Sequence, residues 1–228
     1  MNRKPELILA LDVDTIEKAK YFINILHPHI RIFKVGSQLF TGYGPRIINI
    51  IRKKGAEVFL DLKFFDIPNT VANAIRQAVR LEVKMLTLHI TGGEVMLQRA
   101  VEAAKEESMR LKVERPLLLG VTVLTSQEAE RQEILKLARL GLDSGLDGVV
   151  CSAQEAWYLR KKINRKFIIV TPGIRTDKAA SDDQKRTATV QEALKAGSDF
   201  LVIGRQILKA QDPLSMAREF LKNMRRYE

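Results

Sequence analysis

Cysteine is nearly absent: Cys151 is the single one in 228 residues, so no internal disulfide can staple the fold. Together with the lack of an export signal, this reads as a cytoplasmic protein in which Cys151 is a small apolar strand residue. Long apolar runs are missing as well. No stretch approaches the roughly 20 residues of a membrane span. The run Leu7 to Leu11, behind the basic start Met1-Asn2-Arg3-Lys4-Pro5, is too short for a secretory core and stops at Asp12. No Pro/Gly/Ser-rich linker, composition shift or low-complexity tract divides the chain. With 46% hydrophobic residues it can bury a substantial core, and one domain over residues 1–228 is expected. Glycine is lacking in Leu11-Asp12-Val13-Asp14, where an open dinucleotide-binding sheet would place its phosphate turn.

Positive charge is in excess, at a formal net of +11, which would suit phosphates or nucleic acid. Its distribution argues otherwise. Lys18, Lys20, Arg76, Arg80, Lys105, Lys136 and Arg139 are scattered over helix-like stretches, mostly beside acids. The dense patches Arg160-Lys161-Lys162 to Arg165-Lys166 and Arg225-Arg226 lack the interleaved aromatics of a single-strand platform. Solvated helix faces explain them, and the surplus charge can still draw in a small anionic substrate.

Eight apolar, β-branched runs are present: Leu7 to Leu11, Ile32 to Val35, Val58 to Leu62, Met85 to Ile90, Leu117 to Val123, Gly148 to Cys151, Phe167 to Val170 and Phe200 to Ile203. Amphipathic stretches with helical spacing lie between them, such as Ile16, Ala19, Phe22, Ile23 and Val71, Ile75, Ala78, Val79. Strict strand–helix alternation over eight units argues for an α/β fold, a (β/α)8 TIM barrel, over a doubly wound sheet. In such a barrel the chemistry sits where strands end. Polar residues gather there: Asp12, Lys34, Asp61 with Lys63, His89, Thr125 with Ser126, Thr171 to Arg175, and Gly204-Arg205. The opposite strand ends, entered by Lys84, Pro116 and Asp199, suggest nothing beyond solubility.

The segment Asp61-Leu62-Lys63-Phe64-Phe65-Asp66-Ile67-Pro68-Asn69-Thr70 concentrates charge where a buried strand ends. Alternation sends Phe59, Asp61 and Lys63 to one face and Val58, Leu60 and Leu62 to the other. Buried ion pairs stabilise weakly once desolvation is counted, so the placement points to chemistry. Phe64 and Phe65 are adjacent, and one strand face cannot bury both. They read either as a covered surface at the barrel mouth or as packing under the next helix. The polar stretch Arg175 to Arg186 exceeds the usual connection and reads as a lid over 175–186 or as a surface insertion. Gly204-Arg205 offers open backbone and a guanidinium fork at the usual phosphate end of a barrel, favouring a phosphorylated substrate. His89 either shapes this end of the barrel or is a satisfied core histidine. His27 and His29, flanking Pro28, fit a turn.

On Leu9-Ala10-Leu11-Asp12, Phe33-Lys34-Val35-Gly36, Asp61 to Thr70, Thr171 to Arg175, Asp183-Gln184-Lys185-Arg186 and Ile203-Gly204-Arg205, the chain resembles the orotidine 5′-monophosphate decarboxylases of bacterial type along nearly its whole length. The pattern Asp-x-Lys-x-x-Asp is shared with a sister group of metal-assisted sugar-phosphate aldolases and decarboxylases. Lys34 separates the two, since the sister group typically carries an acid there. The resemblance implies decarboxylation at C6 of the orotate ring to give UMP, with neither metal nor organic cofactor. It implies that Lys63 stabilises and protonates the carbanion, and that Asp61 stands beside the leaving carboxylate. Lys34 and Asp66 would complete an alternating array. It further implies a homodimer in which Asp66, Ile67 and Thr70 reach the partner's site. Asp12 would lie on the ribose and Thr125 and Ser126 on the base or closing loop, with Arg175, Gln184, Gly204 and Arg205 on the phosphate side. Two other readings stay open: the metal-assisted sugar-phosphate enzyme, and a non-catalytic basic barrel that binds nucleic acid.

Overall fold

A computed structural model describes residues 4–123, 130–176 and 187–225. The sequence expectations for Thr125, Ser126, Gln184 and the greater part of the 175–186 segment therefore lie outside the described residues.

Eight parallel strands close on themselves. They are β1 (Glu6–Ala10), β2 (Ile32–Gly36), β3 (Glu57–Phe64), β4 (Met85–His89), β5 (Leu117–Val121), β6 (Gly148–Val150) and β7 (Ile168–Thr171). After the short paired strands β8 (Ile174–Arg175) and β9 (Ala188–Thr189) comes β10 (Phe200–Ile203), which joins β7 and β1 and closes the barrel. The (β/α)8 expectation holds, with each apolar run placed within a residue or two of a strand.

Helices α1 (Ile16–Leu26), α2 (Ser37–Tyr43), α3 (Pro45–Lys53), α4 (Pro68–Arg80), α5 (Glu94–Leu111), α6 (Arg131–Asp143), α7 (Ala153–Lys162), α8 (Val190–Lys195), α9 (Arg205–Leu208) and α10 (Pro213–Arg225) accompany the strands. Their starts are encoded locally. Thr15 accepts the Lys18 N–H ahead of α1, and Ser152 with Glu155 and Thr189 with Glu192 form capping boxes at α7 and α8. Proline, which has no N–H to lose, opens α3 and α4.

Period-two alternation splits the strands between two cores. Leu7, Leu9, Val58, Leu60, Leu86 and Leu88 face outward into the layer shared with the helices. Ile8, Ala10, Ile32, Phe59, Met85, Leu119, Val170, Phe200 and Val202 fill the barrel interior. Continuing the inward parity toward the C-terminal ends adds Lys34 above Ile32, Asp61 above Phe59, and Thr87 and His89 above Met85. The charged residues are thus the topmost layer of a column that is apolar below.

The opposite rim corrects an expectation. Its polar residues do more than keep the protein soluble, because they tie successive strand entries together. Lys84 pairs with Glu57. Arg115 holds both oxygens of Asp147, at 2.5 and 3.0 Å, while Asp147 also accepts the Leu118 N–H at 2.8 Å. Arg160 binds Asp199 at 2.8 Å and the carbonyls of Gly197 and Phe167, and Asp199 accepts the Ile169 N–H at 2.7 Å. Charge-assisted bonds that also satisfy strand N–H groups lock β5 to β6 and β7 to β10 where the barrel must stay closed.

Candidate active site

Four charges alternate across three neighbouring strand ends. Asp12, just past β1, accepts from Lys34 Nζ at 3.1 Å. Lys34 Nζ lies 3.5 Å from Asp61 Oδ2, and Lys63 Nζ donates to Asp61 Oδ1 at 2.8 Å. The inner two are well enclosed, with side chains 12% and 13% exposed for Lys34 and Asp61; the outer two open to solvent, at 52% for Asp12 and 35% for Lys63. Two glycines leave room for this corner. A methyl group at Gly36 would stand 3.2 Å from Lys34 Nζ, and one at Gly204 3.6 Å from Asp12 Oδ2.

Burial works against the charge on Lys34, but the carboxylates of Asp61 and Asp12 and their hydrogen bonds outweigh it and lift its pKa above the ordinary lysine value. Burial likewise pushes Asp61 upward. The two ammonium groups and the hydrogen bonds from Lys63 and Thr87 reverse that, leaving the carboxyl below its usual range. The inner pair is therefore ionised at neutral pH. His89, lowered by burial and then by the Lys63 charge against a smaller opposing pull from Asp61, stands neutral beside it, with its ring edge-to-face against Phe65 at 5.8 Å.

Simple alternation does not deliver Lys63. The β3–β4 register shifts between Leu60 and Phe64, and Lys63 has a left-handed backbone at φ 51°. A non-glycine residue there is uncommon and costly, and such strain gathers at functional sites. The bulge turns the ammonium back toward Asp61 instead of letting it continue up the strand. Sequence reasoning missed Thr87, whose hydroxyl donates to Asp61 Oδ1 at 2.9 Å and accepts the Lys63 N–H at 3.0 Å. Its signal was available: a hydroxyl on the inward parity of β4, level with Asp61. Gln206 was missed too, and its side chain accepts the Thr176 N–H at 3.0 Å, linking the segments after β8 and β10.

Within one chain the structure does not bring Asp66, Ile67 and Thr70 to the array. Asp66 is exposed and accepts the Ile67 N–H at 2.6 Å, and Ile67 and Thr70 are exposed also. Phe64 is half-buried against the outer core, while Phe65 is 62% and Ile67 66% exposed. Arg175 ends β8, half-buried, and Arg205 is exposed at the start of α9, directly after Gly204. Cys151 is fully buried just past β6. Among the described residues, no group of three or more His, Cys, Asp or Glu side chains is placed to hold a metal ion, and no helix is long and apolar enough to cross a membrane.

A parallel eight-stranded barrel with a preorganised charge cluster at the C-terminal ends of its strands defines the class, a TIM-barrel enzyme. The chain belongs to the orotidine 5′-phosphate decarboxylase / HUMPS family, whose profile it matches over residues 5–220, and it is a lyase. It is 46% identical over 232 aligned positions to orotidine 5′-phosphate decarboxylase of Coxiella burnetii, covering 97% of both chains. To the enzyme of the same name from Syntrophotalea carbinolica it is 44% identical, covering 97% of this chain and 95% of the relative. Among solved structures, orotidine 5′-phosphate decarboxylase from Lactobacillus acidophilus superposes with a TM-score of 0.85 at 33% identity, over 96% of this chain and 99% of that one. The one from Pyrococcus horikoshii OT3 shares the fold, at a TM-score of 0.77 and 24% identity, over 96% and 99% of the two chains.

Proposed function

We propose that the protein removes CO2 from C6 of orotidine 5′-monophosphate to give UMP in pyrimidine biosynthesis, using its own side chains and no cofactor. The observation that carries this is the Asp12–Lys34–Asp61–Lys63 series, in which two ammonium groups alternate with two carboxylates. Losing CO2 from this ring leaves a localised carbanion with no electron sink, so the site must offer fixed positive charge where the negative charge develops. Lys63, the more open lysine, stabilises that anion and then gives its proton to C6. Asp61 holds Lys63 in place and stands beside the departing carboxylate. Asp12 takes the ribose.

Lys34 favours this reading over a metal-assisted sugar-phosphate enzyme. Its ammonium, 3.1 Å from Asp12 and 3.5 Å from Asp61, puts a fixed positive charge between those carboxylates, where the sister group typically carries an acid suited to a divalent metal. The phosphate falls to Arg175, Gly204 and Arg205, a reading supported by the Gln206 tie that joins the two segments carrying them. Gln184 belongs with these residues, and Thr125 and Ser126 with the base, on the sequence match alone. The exposed run Phe65, Asp66, Ile67 and Thr70 at the barrel mouth supports a symmetric dimer in which Asp66, Ile67 and Thr70 complete the partner's site.

The direct test follows ultraviolet absorbance on adding orotidine monophosphate in the presence of a chelator. Turnover should persist, and Lys63→Ala should lower kcat by at least about 100-fold. Chelator-sensitive turnover of a hexulose phosphate, with none of orotidine monophosphate, would overturn the assignment.

A further inference from the structure

We infer that Thr87 is the residue that positions the Asp61–Lys63 pair, by clamping the carboxylate and the strained backbone of the lysine with one hydroxyl. The inference rests on the proposed decarboxylation, since it assigns a role within that site.

Thr87 is fully buried on β4, on the inward parity that places it level with Asp61 across the β3–β4 seam. Its hydroxyl has one proton and two lone pairs. The proton goes to Asp61 Oδ1 at 2.9 Å, and a lone pair receives the Lys63 N–H at 3.0 Å. Both bonds meet special needs. Asp61 Oδ1 is the same oxygen that receives the Lys63 ammonium at 2.8 Å, so the threonine fixes the rotamer of the carboxylate to which Lys63 is aimed. The Lys63 N–H belongs to the residue at φ 51°, where the β3–β4 ladder slips and no regular strand partner stands opposite. Without the hydroxyl, that N–H loses its acceptor and the bulge its anchor. A β-branched side chain has few rotamers to choose from, which suits a part that must not move.

This separates Thr87 from the groups that grip substrate. Because it acts through Asp61 and Lys63, its loss should appear in kcat and leave KM nearly unchanged, as expected when an interaction is needed only as charge develops.

The test compares Thr87→Val, which keeps shape and removes the hydroxyl, with Thr87→Ser, which keeps the hydroxyl. Steady-state kinetics with orotidine monophosphate and a thermal melt are run on each, beside the wild type. Thr87→Val should lose about 10- to 100-fold in kcat, the scale of a slightly misplaced catalytic group. Its KM should stay within about threefold, and Thr87→Ser should recover kcat to within about threefold of wild type. A Thr87→Val enzyme with unaltered kcat overturns the inference, as does a change confined to KM or melting temperature, or a serine variant as impaired as the valine one. A wild type that does not turn over orotidine monophosphate defeats the decarboxylase reading itself, a result distinct from all of these.

Discussion

Replacing Asp61 with Asn removes the one carboxylate that stands between two ammonium groups while keeping its shape. Its oxygens lie 3.5 Å from Lys34 Nζ and 2.8 Å from Lys63 Nζ. At an effective dielectric constant of about 20, these separations correspond to attractions of ~5 and ~6 kcal/mol. Most of that gain is offset by the desolvation of an ionised carboxylate only 13% exposed, a cost the amide avoids. What remains is the penalty of leaving the enclosed Lys34 with Asp12 alone. Breaking one partner of a buried pair costs about 3–5 kcal/mol, and the low end applies because Lys63 is partly screened by solvent. A loss of about 3 kcal/mol corresponds, for a chain of this size, to a melting temperature lower by about 6 to 12 °C.

Calorimetry or far-ultraviolet circular dichroism at pH 7 checks the size, and the pH dependence checks the cause. Folding lowers the pKa of Asp61, so its contribution is present above the unfolded carboxylate range and is lost as pH falls through the lowered folded value. The gap between wild type and Asp61→Asn should be full at neutral pH and close in strong acid, where wild-type Asp61 becomes as neutral as the amide. A variant that melts at or above wild type at pH 7, or a gap that widens toward acid, would refute this account of the array.

Other consequences can be checked on the scaffold. Gly148→Ala should cost about 3 kcal/mol or more in a denaturant titration, because its methyl would stand 2.2 Å from the Ile168 carbonyl oxygen of β7. Gly120→Ala should cost less, since the obstacles at 2.6 and 2.7 Å are the flexible ends of Ile90 and Leu146, and equal losses would contradict the distinction. Hydrogen bonds from Arg110 and then Arg80 draw the Glu107 carboxyl down to about 2 from 4.5. Its stabilisation is therefore present above pH 4.5 and lost as pH falls toward about 2. Glu107→Gln should flatten the acid limb of the stability profile in that window, and an unchanged slope would count against a role for the hydrogen bonds from these two arginines.

The barrel was legible because each strand carries its own signal: an apolar run, a turn and an amphipathic helix. Eight such units leave closure as the economical arrangement. The inward facing of Asp61 followed from parity alone, and Lys34 was marked by its place near the end of its strand. Lys63 followed only in part, since nothing in Asp61-Leu62-Lys63 announces a left-handed residue and alternation by itself carries its side chain onward. Thr87 was hidden because threonine is an ordinary strand former, and its role emerges only when β3 and β4 lie side by side. The rim pairs were hidden by distance along the chain, as with Arg115 and Asp147 or Arg160 and Asp199. Each was visible as a charge but not as a partner. The outward course of Asp66, Ile67 and Thr70 depends on how the chain leaves the β3 bulge, which periodicity does not encode.

The left-handed geometry at position 63 sets durability against chemistry. Glycine or asparagine would sit there more comfortably than any lysine. Selection for heat resistance alone, without a check on product formed, would therefore drift toward a sturdier barrel that has lost the ammonium paired with Asp61.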